Sequence, residues 1–191
     1  MVNNQNISVI IQARYNSTRF PGKVLSKIKN KTLLEILIKR LKQSKKIKSI
    51  IVACTKDKKD NPIVKICNDL NIKVFRGSDK NVFSRYYYAA KFYKVKNIIR
   101  ITSDCPLIDS SILDQFVDKY FLGNYDYLSN ILETSYPDGM DIEIFKFKIL
   151  RERYFKKISE LEKEHVTVGF KKTKNYKKYN FKLKKEYSKL R

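Results

Sequence analysis

Three short runs, Ile7–Gln12, Ser49–Thr55 and Asn97–Thr102, constrain this chain more than anything else in it. Each is dominated by Ile, Val and other strand-favouring residues. Each is also too short for a core helix and reads as a strand buried on both faces of a sheet. Helical patterns lie between them. Thr32–Ser44 puts Leu34, Leu37, Ile38 and Leu41 on one stripe, Asn61–Leu70 carries Pro62 in its first turn, and Lys80–Lys94 is rich in Tyr and Ala. Ile72–Arg76 reads as a short strand, and Ser110–Phe121 as a helix capped by Asp109 or Ser110. This alternation predicts an α/β fold built on a doubly wound, mostly parallel sheet. Tyr125–Ser129 and Met140–Phe147 alternate as antiparallel edge strands would. Leu150–Lys156 and Ser159–Lys171 read as helices, and Tyr179–Glu186 as a late strand.

A chain of 191 residues suggests one domain over 1–191, large enough to bury roughly 70% of the surface its unfolded form exposes. No apolar run approaches the ~20 residues of a membrane span. Met1–Asn6 is short and polar, unlike a signal peptide. Cys54, Cys67 and Cys105 are odd in number and lack C-x-x-C spacing, so they read as reduced thiols, and the expected location is cytoplasmic. The formal net charge is +23. Lysines releasing counterions from nucleic acid would explain it, and so would compositional drift, since the excess is nearly all Lys and is spread over every helix. The densest block, 171–191, holds ten basic residues against Glu186 alone and, as a basic tail, leaves nucleic-acid or anionic-membrane contact open there. Nucleic acid is not the expected partner, because it would leave the ordered loop motifs unexplained.

Those motifs begin where the first strand ends. The loop after Gln12 carries Arg14, Ser17, Thr18, Arg19 and Lys23, punctuated by Pro21 and Gly22, and leads to the first helix. A buried strand, a cationic hydroxyl-bearing loop and a helix form a phosphate-binding layout. The loop is neither a P-loop nor a G-x-G-x-x-G. Its bland alternative is a solvated basic turn. After the third buried strand comes Arg100-Ile-Thr-Ser-Asp104-Cys-Pro106, where Asp104 is placed either to hold Mg²⁺ bridging phosphates or to cap a turn. Asp138, Asp141 and Glu143 follow Tyr136-Pro137, with Asp141 and Glu143 expected on one face. They suit sugar hydroxyls, support of a metal, or salt bridges to lysines. The lone His165 sits in a helical pattern without a nucleophile beside it, and Tyr86–Tyr88 read as helix packing.

The loop A-R-x-x-S-T-R-x-P-G-K resembles the signature of the cytidylyltransferases that make CMP-activated acidic sugars. The likeness extends in order through V-A-C-T (52–55), F-R-G-S-D-K-N-V-F-S-R-Y (75–86), R-I-T-S-D-C-P-L-I-D (100–109), D-G-M-D-I-E-I-F (138–145) and E-K-E-H-V-T (162–167). It is closest to the spore coat polysaccharide biosynthesis protein F branch, with 3-deoxy-manno-octulosonate and acylneuraminate cytidylyltransferases as relatives. The resemblance implies a Rossmann-like nucleotidyltransferase that uses CTP, a 2-keto sugar acid and Mg²⁺, works as a homodimer and releases pyrophosphate. It implies nucleotide contacts at Ala13, Arg14, Ser17, Arg19, Lys23, Ala53, Thr55, Ser78, Arg85 and Thr102. Arg14, Lys23 and Asp104 are implied as catalytic, Asp104 as metal-binding, and Asp138, Asp141 and Glu143 as contacts to the second substrate. Asn16 and Ser103 stand where the family commonly has Gly, and Asn81 where it has Asp. Asn16 is expected to tolerate a left-handed backbone there. Relatives continue past the point matching 187–191 into a segment with a second metal carboxylate, so the expectation is CTP binding with slow or absent turnover. A glycosyltransferase of similar architecture is disfavoured because S-D-C-P offers one acid where D-x-D offers two, and an inactive member of the same family stays open.

Overall fold

The computed structural model describes residues 6–17, 20–183, 185 and 187–189. In chain order the elements are β1 (Ile7–Gln12), β2 (Lys27–Ile28), β3 (Lys31–Thr32), α1 (Leu33–Leu41), β4 (Ser49–Thr55), α2 (Asn61–Asp69), β5 (Lys73–Gly77), α3 (Val82–Phe92), β6 (Asn97–Thr102), α4 (Ser110–Leu122), β7 (Tyr127–Ser129), β8 (Glu143–Lys146), α5 (Phe147–Tyr154), α6 (Glu160–Glu164), α7 (Val168–Lys172) and β9 (Lys178–Asn180). Seven strands form one sheet in the order β5-β4-β1-β6-β8-β7-β9. The first four are parallel, β8 runs antiparallel to both its neighbours, and β9 is parallel to β7. This is the α/β sheet with antiparallel strands on one side that the alternation predicts.

Alternate residues of β1 enter opposite cores. Val9 and Ile11 join the layer containing α1, α2 and α4, whereas Ile10 faces Phe83, Tyr86 and Phe170 on the other side. The apolar stripe of α1 is fully buried: Leu34, Leu37, Ile38 and Leu41 are each 0% exposed, which stabilises by about 1.5–3 kcal/mol per side chain. Thr32 and Glu35 form a reciprocal cap that starts this helix. Asp109 caps α4 by accepting from the backbone N–H groups of Ser111 and Ile112. Asn81 caps α3 through Ser84 N, a task an Asp would also perform.

Several local expectations change: the strand expected over Met140–Phe147 is Glu143–Lys146, and the helix expected over Leu150–Lys156 is Phe147–Tyr154. Ser159–Lys171 is two short helices, α6 and α7, because the chain turns at His165 and sends Val166 and Thr167 inward, 0% and 2% exposed. The late strand is only Lys178–Asn180. A small hairpin, β2–β3, interrupts the stretch before α1. Among the described residues, no helix is long and apolar enough to cross a membrane.

Candidate active site

Parallel strands β1 and β6 are neighbours and end level, with Gln12 paired to Thr102. The loops leaving them therefore share one edge of the sheet, where such folds bind ligands. A cleft opens there as two joined lobes of about 430 and 690 Å³, both lined by Ser17, Lys23, Thr102, Asp104 and Asp141.

The first loop is tethered by its own backbone and by acids from the β4–α2 connection. The Tyr15 carbonyl accepts from Ser17 N and Gly22 N, both at 2.8 Å. Gly22 takes φ 75°, a left-handed turn that favours glycine, and delivers Lys23 into the cleft. Buried Asp60 accepts from Tyr15 N at 2.7 Å, Thr55 N at 2.8 Å and the Thr55 hydroxyl at 2.7 Å. Asn16 donates to Asp57 at 3.2 Å. It is not among the left-handed non-glycine residues, so the expected tolerance is not called upon.

At the junction of the lobes, Lys23 Nζ lies 3.4 Å from Asp104 Oδ2, both side chains being nearly half exposed. Burial alone would raise the Asp104 pKa, but the Thr102 hydrogen bond and the Lys23 charge outweigh it and hold the carboxyl below its usual range. Asp141 is pushed the other way, by burial and then by the charges of Glu143 and Asp138. Asp138 and Gly139 border the second lobe beside Phe20 and Leu107. Gly139 takes φ 84° as the chain passes Asp104.

The first lobe is cationic. Arg14 lines it and lies 3.6 Å from Asp79. Arg85 also lines it, is 1% exposed, and donates from Nη1 to the Ser78 carbonyl at 3.0 Å. Among the described residues its buried Nε has no hydrogen-bond partner, and burial lowers its pKa. A buried guanidinium with one donor unsatisfied is costly, so an acceptor supplied by a ligand suits this position.

Under the lobe lies a buried network. Glu143 Oε2 takes Arg100 Nη1, while Oε1 accepts from the Tyr127 hydroxyl at 2.6 Å and the Thr167 hydroxyl at 2.5 Å, with Lys171 Nζ at 3.8 Å. Arg100 Nη2 donates to Gln12 Oε1 at 2.9 Å. Although burial opposes ionisation, the Arg100 and Lys171 charges and these hydroxyls keep Glu143 below its ordinary pKa.

The structure thus brings Ala13, Arg14, Ser17, Lys23, Arg85 and Thr102 onto the cleft together with Asp104, Asp138 and Asp141. Four sequence-derived positions differ. Glu143 is 1% exposed and consumed by its network, so it does not share an open face with Asp141. Ala53 is 0% exposed on β4 and offers its carbonyl to Ala13 N at 3.1 Å. Thr55 is committed to Asp60, and Ser78 stands in the β5–α3 turn, its hydroxyl accepting from Asn81 N at 3.1 Å. These three shape the loops around the cleft instead of lining it. Arg19 and Thr18 lie outside the described residues. Gln12, Arg100 and Lys171, to which the sequence assigns no role, also line the first lobe, and His165 lies beside them. The sequence signal for Arg100 is a charge inside the largely apolar strand β6.

A cytidylyltransferase family model matches residues 8–190. The protein MJ1063 of Methanocaldococcus jannaschii is 44% identical over 160 residues, 83% of this chain and 64% of that protein. The spore coat polysaccharide biosynthesis protein SpsF of Bacillus subtilis is 36% identical over 170 residues, 85% of this chain and 69% of its own. The chain therefore spans about two thirds of the length of these relatives. More distant relatives include the 3-deoxy-manno-octulosonate cytidylyltransferase of Thermodesulfovibrio yellowstonii, 31% identical over 57% of the chain and 45% of that protein. A solved cytidylyltransferase from Leptospira borgpetersenii superposes with a TM-score of 0.94 at 34% identity, covering 98% of this chain and 80% of that one. By its sequence, by its fold and by the match of the family model to nearly its whole length, the chain belongs to the cytidylyltransferase family.

Proposed function

We propose that this protein transfers the cytidylyl group of CTP to a hydroxyl of a 2-keto sugar acid, releasing pyrophosphate, for a surface polysaccharide or glycan. The observation that carries this reading is the basic loop Arg14–Lys23 facing Asp104 across the ends of β1 and β6. The acceptor oxygen attacks the α-phosphorus as the bond from that phosphorus to the α–β bridging oxygen breaks, and the hydroxyl proton is released to solvent. Negative charge then grows on the departing pyrophosphate. Arg14 and Lys23 neutralise it, and Ser17 hydrogen-bonds phosphate oxygen. Arg85 meets the nucleotide from below. Lys171 and Arg100 present positive charge to the sugar carboxylate, while Asp138 and Asp141 suit its hydroxyls.

The residues also fit Mg²⁺. The donors at the junction are hard carboxylate oxygens, Asp104 with Asp141 close enough to feel its charge, and an ion that keeps its waters needs only one or two carboxylates plus phosphates. Asp104 would hold it, and the ion would supply charge neutralisation at the phosphates. The test is pyrophosphate release with each nucleoside triphosphate against a panel of 2-keto sugar acids. Release confined to CTP and one or more of these acids supports the reading. Release with UTP or ATP and neutral sugars refutes it.

A further inference from the structure

Helix α3 buries Phe83, Tyr86, Ala89 and Ala90 against the sheet and turns Tyr88, Lys91 and Phe92 outward. Outward positions of a surface helix normally carry polar groups. Here Tyr88 is 45% exposed, Phe92 69%, and Phe155, just beyond α5, 71%. Tyr88 and Phe155 belong to one strip through Tyr154, and Phe92 stands beside it, packed on Phe75 and Tyr93. Tyr88 and Tyr154 are 5.7 Å apart with their hydroxyls at 2.7 Å, and Tyr154 is 5.5 Å from Phe155. Phe92 follows one helical turn after Tyr88. Exposed lysines accompany the strip in sequence on both elements: Lys91 and Lys94, Lys156 and Lys157. Among the described residues none of these four is in an ion pair.

We propose that this face docks on an anionic phospholipid surface, with the aromatic rings at headgroup level and the lysines on lipid phosphates. Charge complementarity selects this occupant. A second copy would set the same lysines against each other in a chain of net charge +23. A membrane leaflet offers a continuous negative potential to unpaired lysines and an amphipathic boundary to Tyr and Phe. Attachment of this kind lies on the bilayer without crossing it.

The test is sedimentation of the full chain with phosphatidylcholine vesicles, with and without phosphatidylglycerol. The expected result is partitioning onto the phosphatidylglycerol vesicles that is lost in high salt, and none onto phosphatidylcholine alone. Phe92→Ser with Phe155→Ser should lower partitioning about tenfold or more, and Lys91→Glu with Lys156→Glu and Lys157→Glu should abolish it. The lysine sites are exposed, so that variant should melt with the parent, whereas Phe92 and Phe155 also touch Phe75, Tyr93, Tyr87 and Tyr154, so partitioning of the aromatic variant is read below its own melting temperature. No partitioning at low salt overturns the proposal. So does equal binding to both vesicle types, or unchanged binding by the aromatic variant, which would reduce the effect to bulk charge. A lipid-free dimer by sedimentation velocity that dissociates in the aromatic variant would assign the face to a second copy and also overturn it.

Discussion

The mouth and the floor of the cleft are built on opposite principles. At the mouth, Lys23 and Asp104 form one half-exposed pair at 3.4 Å. Such a pair contributes little to stability, and either member can exchange its partner for a ligand. On the floor, Glu143 is 1% exposed and ties Arg100, Tyr127, Thr167 and Lys171 into one knot. A buried charge of this kind cannot lose a partner cheaply, so it fixes geometry. The pair at the mouth is therefore loosely held, and the knot beneath it is locked.

The sharpest way to break this contrast is Glu143→Ala. It strands the Arg100 charge in the interior and should cost about 3–5 kcal/mol, read from denaturant unfolding. A loss under about 1 kcal/mol would make the floor no more rigid than the mouth. Asp104→Asn should do the reverse: about a hundredfold or greater loss of turnover, equivalent to roughly 2.7 kcal/mol of barrier, with an unchanged melting curve. Full turnover would move the metal and the chemistry away from the β6 loop.

A smaller effect concerns a second locked pair, at the other end of α6. The Arg153 guanidinium grips Glu162 at 2.6 and 2.9 Å and, with Ser159, holds its pKa at about 2 against a usual 4.5. A depressed carboxylate contributes stability that is complete above its unfolded pKa and lost as pH falls through the folded one. The stability advantage of the parent over Glu162→Gln should therefore be constant above about pH 5 and shrink from there toward pH 2. A pH-independent difference in thermal melts would show that the pair acts through packing alone.

How much of this was legible in sequence follows the same division. Ile7–Gln12, Ser49–Thr55 and Asn97–Thr102 announce themselves by composition, and all three are strands with those bounds. The mouth is legible too, because Arg14, Ser17 and Lys23 lie within ten residues of one loop. The floor is not. Glu143 meets Tyr127, Thr167 and Arg100 at separations of 16, 24 and 43 residues, so no local pattern encodes their contact. Strand alternation predicted that Asp141 and Glu143 share a face, but β8 begins only at Glu143 and Asp141 precedes it in irregular chain. Thr55 was legible as a strand end, and its commitment to Asp60 was not, because a hydroxyl serves a ligand or a carboxylate equally well. The turn at His165 escaped because its cause, Thr167 reaching Glu143, is tertiary.

In the proposed reaction the β1 loop binds the nucleotide while contributing little to the fold. Calorimetric titration of CTP into the parent, Arg14→Ala and Lys23→Ala tests it most directly. Each variant should lose about 1.5–3 kcal/mol of binding free energy, one charge-assisted phosphate contact, and melt with the parent. Unchanged CTP affinity in both variants would contradict the account and place the nucleotide elsewhere.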